Sequence, residues 1–419
     1  MMFNIFNGRL VLLRSIMVLS CFALIAIGII SIYAAEQNEA FWQKQILFAL
    51  AGSVCFVLIN LLHYKSLGPL SYWIYAITLV LLTILLIERF VPMPAGFRDI
   101  WRMFIPYING SRRWIRLGWG SLYFQVQPSE FCKLAYIVAL AWYLRYRKNY
   151  RRLHGLIGPF VLTFIAMGLI ILEPDLGTVM LMLPLLFAML FAAGARVRHL
   201  VLIITAAAML SPVLWLNMRD YQRMRIASVL LQNEWIYNKV TKSPALTRII
   251  GVEPVRLYHW KRDEGYHLQH SKYAISTGGV SGYGFKQGPY SIDKHVHLPE
   301  AHNDFIFAII AHQWGLLGCI CVFLLYCVIA TCGLEIAWFN TDPFGRLIAV
   351  GIVVMFMTQV VVNIGMTIGL MPITGLTLPF LSYGGSSLIV NMTALGLLNN
   401  IGRDRPFSVA GKAFEYAEQ

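Results

Sequence analysis

Charge divides this chain into long uncharged stretches separated by short charged segments. About 20 apolar residues are enough for a helix to cross a bilayer. Seven stretches of 20 to 30 residues contain no Asp, Glu, Lys or Arg: 15–35, 45–64, 66–87, 153–172, 176–195, 199–218 and 305–334. Each of them is predicted to be a transmembrane helix.

Two further regions complete this pattern. Residues 347–402 carry no charge, but Pro372, Pro379 and a Ser-Tyr-Gly-Gly turn interrupt them, which predicts two helices joined by irregular backbone. Residues 129–144 are another candidate span, although they include Glu130 and Lys133. The predicted fold is all-α, a polytopic membrane protein with ten transmembrane helices.

Composition supports this fold class. Hydrophobic residues make up 58% of the chain and charged residues 13%, whereas a soluble domain carries about 25% charged residues. A soluble protein is therefore excluded. The seven cysteines all lie in apolar stretches, so neither a disulfide framework nor a thiolate metal site is expected.

The basic residues predict the orientation. Short connections at 145–152 and 196–198 are rich in arginine, which is typical of cytoplasmic loops. With ten spans, both termini share the cytoplasmic side. The expected organisation is helices one to seven in 1–216 with a basic outer loop at 88–128, one large extracytoplasmic loop at 217–303, and helices eight to ten with a short cytoplasmic tail in 304–419.

The remaining charge narrows the function. The net charge is +14, and both long outer segments are basic. Guanidinium groups at an outer membrane surface suit an anionic headgroup or phosphate, and ordinary solvated loop charge is the alternative. The sequence has no P-loop and no dinucleotide fingerprint. The energy for any reaction must therefore come from the substrate itself or from an ion gradient.

Two polar clusters lie at predicted helix starts. Glu130 and Lys133 are three residues apart on one helix face, so they either neutralise each other or contact a ligand. Glu173 and Asp175 flank Pro174, and Asp175 is expected to cap the following helix rather than to act in chemistry.

A third cluster lies where the long polar loop meets an apolar run. If a helix begins near Pro299, Glu300 and Asp304 share one face, and a carboxylate at this boundary suits a general base. The alternative is a helix N-terminal charge favoured by the dipole. His302 beside Glu300 and Asp304 is also a candidate for an oxygen and nitrogen metal site, although loop histidines are more often ordinary surface residues.

Two segments are expected to lack regular structure. The stretch 277–284 contains four glycines, which argues against a helix and predicts a close backbone approach to a ligand. The stretch 370–387 is irregular backbone in apolar sequence, which is tolerated only when it is buried in protein or lines a cavity.

Together these motifs resemble the SEDS family of bacterial cell-wall polymerases, which includes RodA and FtsW. The resemblance runs through most of the chain, and its most specific elements are 299–305 and 375–387. The other matching segments are Arg113-Trp114-Ile115, Gln127-Pro128-Ser129-Glu130 with Lys133, Glu173–Thr178, and Gly265-Tyr266-His267 with Ser271-Lys272.

The resemblance implies a peptidoglycan glycosyltransferase that polymerises lipid II at the outer face of the bacterial cytoplasmic (inner) membrane. The undecaprenyl-pyrophosphate-linked donor would supply the energy. Asp304 matches the family's essential catalytic Asp. The expected substrate-binding residues are Arg113, Glu130, Lys133, Lys272, Glu300, His302 and Ser382. No cofactor is evident, and a divalent cation, Mg²⁺ or Mn²⁺, stays open.

The resemblance also implies partners. They are a class B penicillin-binding protein that supplies the transpeptidase, the cell-wall elongation complex that maintains cell shape, and membrane lipid, with no nucleic acid. Small residues in the last two spans predict close approach of the partner's single helix. These residues are Gly351, Gly365, Gly369, Ala394 and Gly396.

The branch of the family and the rival functions stay open. Asp220–Arg223, Gly265–His267 and Asn363–Met366 look more like RodA, whereas Gly375–Pro379 looks as much like FtsW, the division branch. A lipid II flippase or transporter, and a scaffold that only recruits the synthase, are the alternatives from other classes.

Three departures from the family pattern stand out. Asn303 replaces a usual Thr, and His312-Gln313 replaces a common acidic pair, which puts any role for acid at that depth in doubt. The stretch 232–262 is longer than usual for the family and carries no readable motif.

Overall fold

The computed structural model describes most of the chain. The described residues are 2–35, 40–91, 94–108, 111–119, 122–146, 151–218, 220–243, 247, 254–259, 261, 265–290, 298 and 300–403. Pro299, part of the predicted 232–262 stretch and the predicted tail beyond residue 403 lie outside them.

Helices form nearly all of the regular structure in this part of the chain. The first eight are α1 (Met2–Ala35), α2 (Phe41–Leu61), α3 (Leu67–Phe90), α4 (Ala95–Phe104), α5 (Pro128–Leu144), α6 (Ile157–Leu172), α7 (Leu176–Ala193) and α8 (Val197–Asn217). The other seven are α9 (Asp220–Leu230), α10 (Glu234–Lys242), α11 (Pro254–His259), α12 (Gly265–Gly278), α13 (Ile306–Phe339), α14 (Pro343–Thr367) and α15 (Gly385–Ile401).

The all-α polytopic fold is confirmed. Seven described helical segments are long and apolar enough to cross a membrane: Leu10–Ala35, Phe41–Leu61, Tyr64–Phe90, Leu153–Leu172, Leu176–Ala193, Ile306–Phe339 and Pro343–Thr367. The other three predicted spans are also helices, but α5 and α15 have only 17 residues each and α8 has a shorter apolar part. Ten crossings therefore stay a prediction.

Both predicted outer loops contain local structure. A hairpin of β1 (Ile115–Trp119) and β2 (Leu122–Val126) pairs antiparallel, with Ile115 opposite Val126, and leads directly into α5. In the stretch 217–303, the described residues contain the short helices α9 to α12.

Small residues bring the last two spans against neighbours in the same chain. Gly351 on α14 packs against Ile137 of α5, and Gly396 on α15 packs against the backbone of α2 at Phe56. Ala394 is fully buried. Intramolecular packing therefore already uses these three residues, and docking of a partner's helix near the last two spans stays a prediction.

The stretch between α14 and α15 is irregular, as expected, and most of residues 374–382 are buried. Gln45 of α2 donates to the carbonyl oxygen of Ser382 at 3.1 Å and accepts from the N–H of Gly384 at 3.4 Å. Asn363 of α14 donates to the carbonyl oxygen of Leu376 at 2.7 Å. Side chains thus replace the partners that a helix would provide inside the membrane. The boundary differs slightly, because residues 385–387 form the first turn of α15.

Two other expectations need correction. The glycine-rich stretch does contain helix, because Thr277 and Gly278 are the last residues of α12. The predicted single span after Asp304 is one continuous apolar segment, but its helix is broken at Gly315, whose φ of 61° and ψ of −157° are non-helical.

Replacing Gln45 by Leu tests the support of the irregular segment. The change leaves two buried backbone groups without partners, so the free energy of unfolding in detergent should fall by about 2–4 kcal/mol. Gln43→Leu is the matched control, because Gln43 is exposed on the same helix. Equal stability of the two variants in denaturant titrations would contradict the assigned role of Gln45.

Candidate functional site

Asp304 lies in a tight turn that precedes α13. The carbonyl oxygen of Glu300 accepts from the N–H groups of Asn303, Asp304 and Phe305 at 3.1–3.3 Å. This turn occupies residues 300–305, so α13 begins at Ile306 and not near Pro299 as predicted. Glu300 and Asp304 therefore do not share a helix face. The side chain of Asp304 is half-buried at the end of the membrane span.

The position of Asp304 is held from two sides. Its carbonyl oxygen accepts from the Asn363 side chain at 3.1 Å, which ties the turn to α14. Gly375 lies next to its carboxylate, and a Cβ at this glycine would be 3.7 Å from Asp304 Oδ2. Gly375 has a φ of 75°, a backbone conformation that favours glycine.

Glu300 and His302 have different surroundings. Glu300 is exposed and accepts from the Asn303 amide at 2.9 Å. The His302 ring stacks on Phe41 of α2 with centroids 4.4 Å apart and lies 5.7 Å from the Tyr383 ring. Among the described residues, no group of three or more His, Cys, Asp or Glu is arranged to hold a metal ion. A divalent cation stays an expectation from the sequence alone.

Glu130 and Lys133 form a buried ion pair at the start of α5. Lys133 Nζ lies 2.7 Å from Glu130 Oε2, and the two side chains are 0% and 7% exposed. Pro128 is the first residue of the helix, as predicted. In this arrangement the Lys133 ammonium faces Glu130 inside the protein and does not reach the surface.

Asp175 caps α7, as the sequence predicts. Its carboxylate accepts from the Thr178 N–H at 3.3 Å and from the Thr178 hydroxyl at 2.9 Å. It also accepts from the Ser129 hydroxyl at 3.0 Å. Because Ser129 lies in the first turn of α5, this carboxylate ties the starts of α5 and α7 together.

Arg113 holds the turn between α6 and α7. Its guanidinium donates to the carbonyl oxygen of Glu173 at 2.9 Å and to that of Pro174. The residues just before the β1–β2 hairpin are thereby fixed on this turn. Two N–H donors of Arg113, an expected substrate-binding residue, are thus already used by backbone carbonyls.

Glu173 is a buried residue, and the sequence does not predict the protonation state of its carboxyl group. It lies between the spans α6 and α7, and neither carboxyl oxygen has a hydrogen-bond partner among the described residues. Burial first, and then the nearby Asp175 charge, raise the pKa of Glu173 to about 9, although Arg113 opposes the shift. Glu173 is therefore protonated at neutral pH.

Lys272 and Ser382 occupy different positions in the site. Lys272 is half-buried on α12, and its side chain lies against Gly369, just beyond the C-terminal end of α14, where the helix dipole favours a cation. Ser382 is buried, and its hydroxyl accepts from the Leu378 N–H at 2.8 Å. Ser382 therefore shapes the irregular segment.

The irregular segment between α14 and α15 joins these groups. Gly375 contacts Asp304, whereas Thr374 on one side of it contacts Gly177, two residues after Asp175. The Tyr383 N–H donates to the carbonyl oxygen of His302 at 2.9 Å. The predicted motifs thus gather around one stretch of backbone.

Sequence reasoning missed several contributors to this arrangement. Gln45 and Asn363 are uncharged, so the charge pattern gave no reason to choose them, and Asn363 was noticed only within the segment Asn363–Met366. The signal that could have found them is a buried amide within an apolar span, which needs a partner there. Gly375 was noticed only as part of a motif.

Comparison with known proteins gives a consistent result. A model of the FtsW, RodA and SpoVE family, described as cell cycle proteins, matches residues 9–406. The chain belongs to this family. The RodA peptidoglycan glycosyltransferase of Treponema pallidum is 31% identical, with 92% of this chain and 96% of that protein covered. The stage V sporulation protein E of Bacillus subtilis is 34% identical, with 93% and 96% covered.

A solved structure also resembles this family member. It is a chain studied for the structural coordination of polymerization and crosslinking by a peptidoglycan synthase complex. Its TM-score is 0.71 at 29% sequence identity, with 93% of this chain and 97% of that chain covered. The similarity in structure and the similarity in sequence therefore both extend over almost the whole chain.

The double variant Glu130→Gln with Lys133→Met tests the ion pair. If the pair only supports the fold, replacing both charges by neutral side chains of similar size should leave glycan polymerisation intact. Lys133→Met alone leaves Glu130 buried without its cation, so it should lower stability more than the double variant does. A double variant that folds but makes no glycan would show that the Lys133 charge itself is required.

Glu173→Gln should change how stability depends on pH. An unfolded Glu loses its proton near 4.5, whereas folded Glu173 keeps it to about 9. Between these values the folded state binds more protons, so stability falls as pH rises. The variant should show a weaker fall in thermal melts from pH 5 to 8. Glu234→Gln, at an exposed position, should follow wild type, and identical slopes in all three proteins would contradict the assignment.

Proposed function

We propose that this chain polymerises lipid II into glycan strands. Its relative in Treponema pallidum is named a peptidoglycan glycosyltransferase, and the chain is an enzyme of that class. The observation that supports the proposed reaction best is the half-buried Asp304 carboxylate next to Gly375, on a residue whose backbone is held by the 300–305 turn and by Asn363.

The reaction joins two sugars and releases a polyprenyl pyrophosphate. A base must take a proton from the acceptor hydroxyl, and cations must stabilise the negative charge on the departing pyrophosphate. Asp304 is proposed as the base, because a carboxylate at the boundary between membrane and water can meet a lipid-linked sugar. The activated donor supplies the energy, which is consistent with a sequence that has no nucleotide-binding motif.

Lys272 is the cation that the geometry favours for the pyrophosphate. Lys133 is fully buried and paired with Glu130, whereas Lys272 is only half-buried. Arg113 already donates to two backbone carbonyls. We therefore assign Lys133 and Arg113 to holding the site, and Lys272 to the leaving group.

The cellular setting is part of the proposal. The chain is a multi-pass membrane protein, and we place it in the bacterial cytoplasmic membrane with both termini inside and Asp304 facing outward. A class B penicillin-binding protein is the proposed partner, because the similar solved chain belongs to a complex that coordinates polymerization and crosslinking. Co-purification of the two proteins from membranes tests this partner.

The elongation branch is proposed on residue pattern alone. Asp220–Arg223, Gly265–His267 and Asn363–Met366 favour RodA, but the similarity to known proteins does not separate the branches. The family model unites FtsW, RodA and SpoVE, and RodA and SpoVE relatives match at 31% and 34% identity. Rescue of rod shape in cells depleted of their elongation polymerase, without rescue of a division block, would support this branch.

Asp304→Asn tests the catalytic assignment. The change keeps size but removes basicity, so polymerisation of purified lipid II should fall by roughly 10²–10⁴-fold. Insertion and partner binding should persist. Asp99→Asn is the matched control, because Asp99 is exposed on α4. Glycan strands of wild-type amount and length from Asp304→Asn would overturn the assignment and favour a transporter or a scaffold.

A further inference from the structure

The break in α13 is compensated by a neighbouring loop. In an unbroken helix, the N–H groups of Leu316 and Leu317 would bond to the carbonyls of His312 and Gln313. Gly315 interrupts this pattern. The loop after α12 provides a partner for all four groups: Leu316 N to Gly279 O at 2.9 Å, Leu317 N to Val280 O at 3.2 Å, Tyr283 N to His312 O at 3.1 Å, and Gly284 N to Gln313 O at 2.9 Å.

These four bonds require a very close approach of two backbones. A Cβ at Gly282 would overlap the carbonyl of Gln313, and one at Gly315 would overlap the carbonyl of Val280. Both glycines also have positive φ values, 77° and 61°. We call residues 279–284 together with 312–317 the clamp. The glycine-rich loop, which the sequence assigned to a ligand, here approaches a broken helix.

His312 connects the clamp to the end of α12 and to the segment after it. Its side chain is fully buried. Its Nδ1 lies 3.1 Å from the Thr277 hydroxyl and its Nε2 lies 3.4 Å from the Tyr290 backbone nitrogen. The ring also contacts the rings of Tyr283 and Tyr290, with centroids 4.9 Å and 5.4 Å apart. This histidine is one of the departures from the family pattern.

The clamp joins the two elements that carry Asp304 and Lys272. The first half of α13, residues 306–314, continues directly from the turn that holds Asp304. Lys272 lies on α12, whose Ala274 packs in one apolar cluster with Phe305 and Ile309. The four clamp bonds therefore connect α12 and this half-helix into a single unit.

We infer that His312 is a positioning residue, which closes the clamp and thereby fixes the Asp304 carboxylate relative to the Lys272 ammonium. This inference rests on the proposed function, in which these two groups serve the acceptor and the leaving group. Because His312 touches neither, its loss should act on the geometry of the reaction and not on affinity for the lipid.

Three variants and two measurements test this inference. His312→Phe keeps an aromatic ring but removes both polar contacts, whereas His312→Asn keeps a polar group close to the position of Nδ1, within reach of Thr277. Val322→Ala is the control, because Val322 is buried in the second half of α13. The measurements are kcat and KM for lipid II, and hydrogen exchange at the four clamp amides of Tyr283, Gly284, Leu316 and Leu317.

His312→Phe should lower kcat by about 10- to 100-fold, as expected for a small misplacement of reacting groups, with KM unchanged. Its clamp amides should exchange faster, and His312→Asn should recover much of the activity. Val322→Ala should lose thermal stability but keep its kcat. An unchanged kcat in His312→Phe, or an equal loss in Val322→Ala, would overturn the inference while leaving the proposed function intact.

The two proposals can fail separately. If wild-type protein makes no glycan, the proposed function fails and the positioning role fails with it. If wild-type protein is active and the clamp amides of His312→Phe exchange at the wild-type rate, only the role of His312 is lost.

Discussion

Every backbone polar group inside a membrane must find a partner within the protein, and this constraint governs the whole site. The stretch between α14 and α15 is not helical, so its amides and carbonyls would be costly to bury. Gln45 and Asn363 meet this need from two different spans. The same backbone contacts Asp304 through Gly375. Support of the irregular segment and placement of the Asp304 carboxylate therefore depend on the same backbone.

The broken helix α13 solves the same problem in another way. Side chains support the segment after α14, whereas backbone from the loop after α12 supports the break at Gly315. The break at Gly315 lies close to Asp304 in sequence, and the segment after α14 lies close to it in space through Gly375. A regular helix could not bring both the 300–305 turn and Gly375 to one carboxylate, whereas irregular backbone does so here.

The features that the sequence predicted well are those that depend on the length of uncharged stretches and on the placement of charged residues and proline. The charge pattern predicted long apolar helices, of which seven in the described residues are long enough to cross a membrane, and it correctly predicted Asp175 as a cap and Pro128 as a helix start. Predictions that depend on tertiary contacts were weaker. Gly351 and Ala394 were expected to face a partner because small residues suit any close helix contact, whichever chain provides it. The start of α13 was misplaced because the 300–305 turn is formed by backbone bonds to Glu300, which no side-chain pattern reveals.

The bond between Gln45 and Ser382 also has a consequence for biosynthesis. Its two residues are 337 positions apart in the chain. At about 5–20 residues per second, ribosomes need roughly 20–70 s to make that interval. During this time the Gln45 amide sits in a finished span without its final partner. The Gln45 amide can therefore reach this partner only after Ser382 has been made. The region around the irregular segment is thus expected to form only after residue 382 has been made, and ribosome stalling before that residue should leave the inserted helices without this bond.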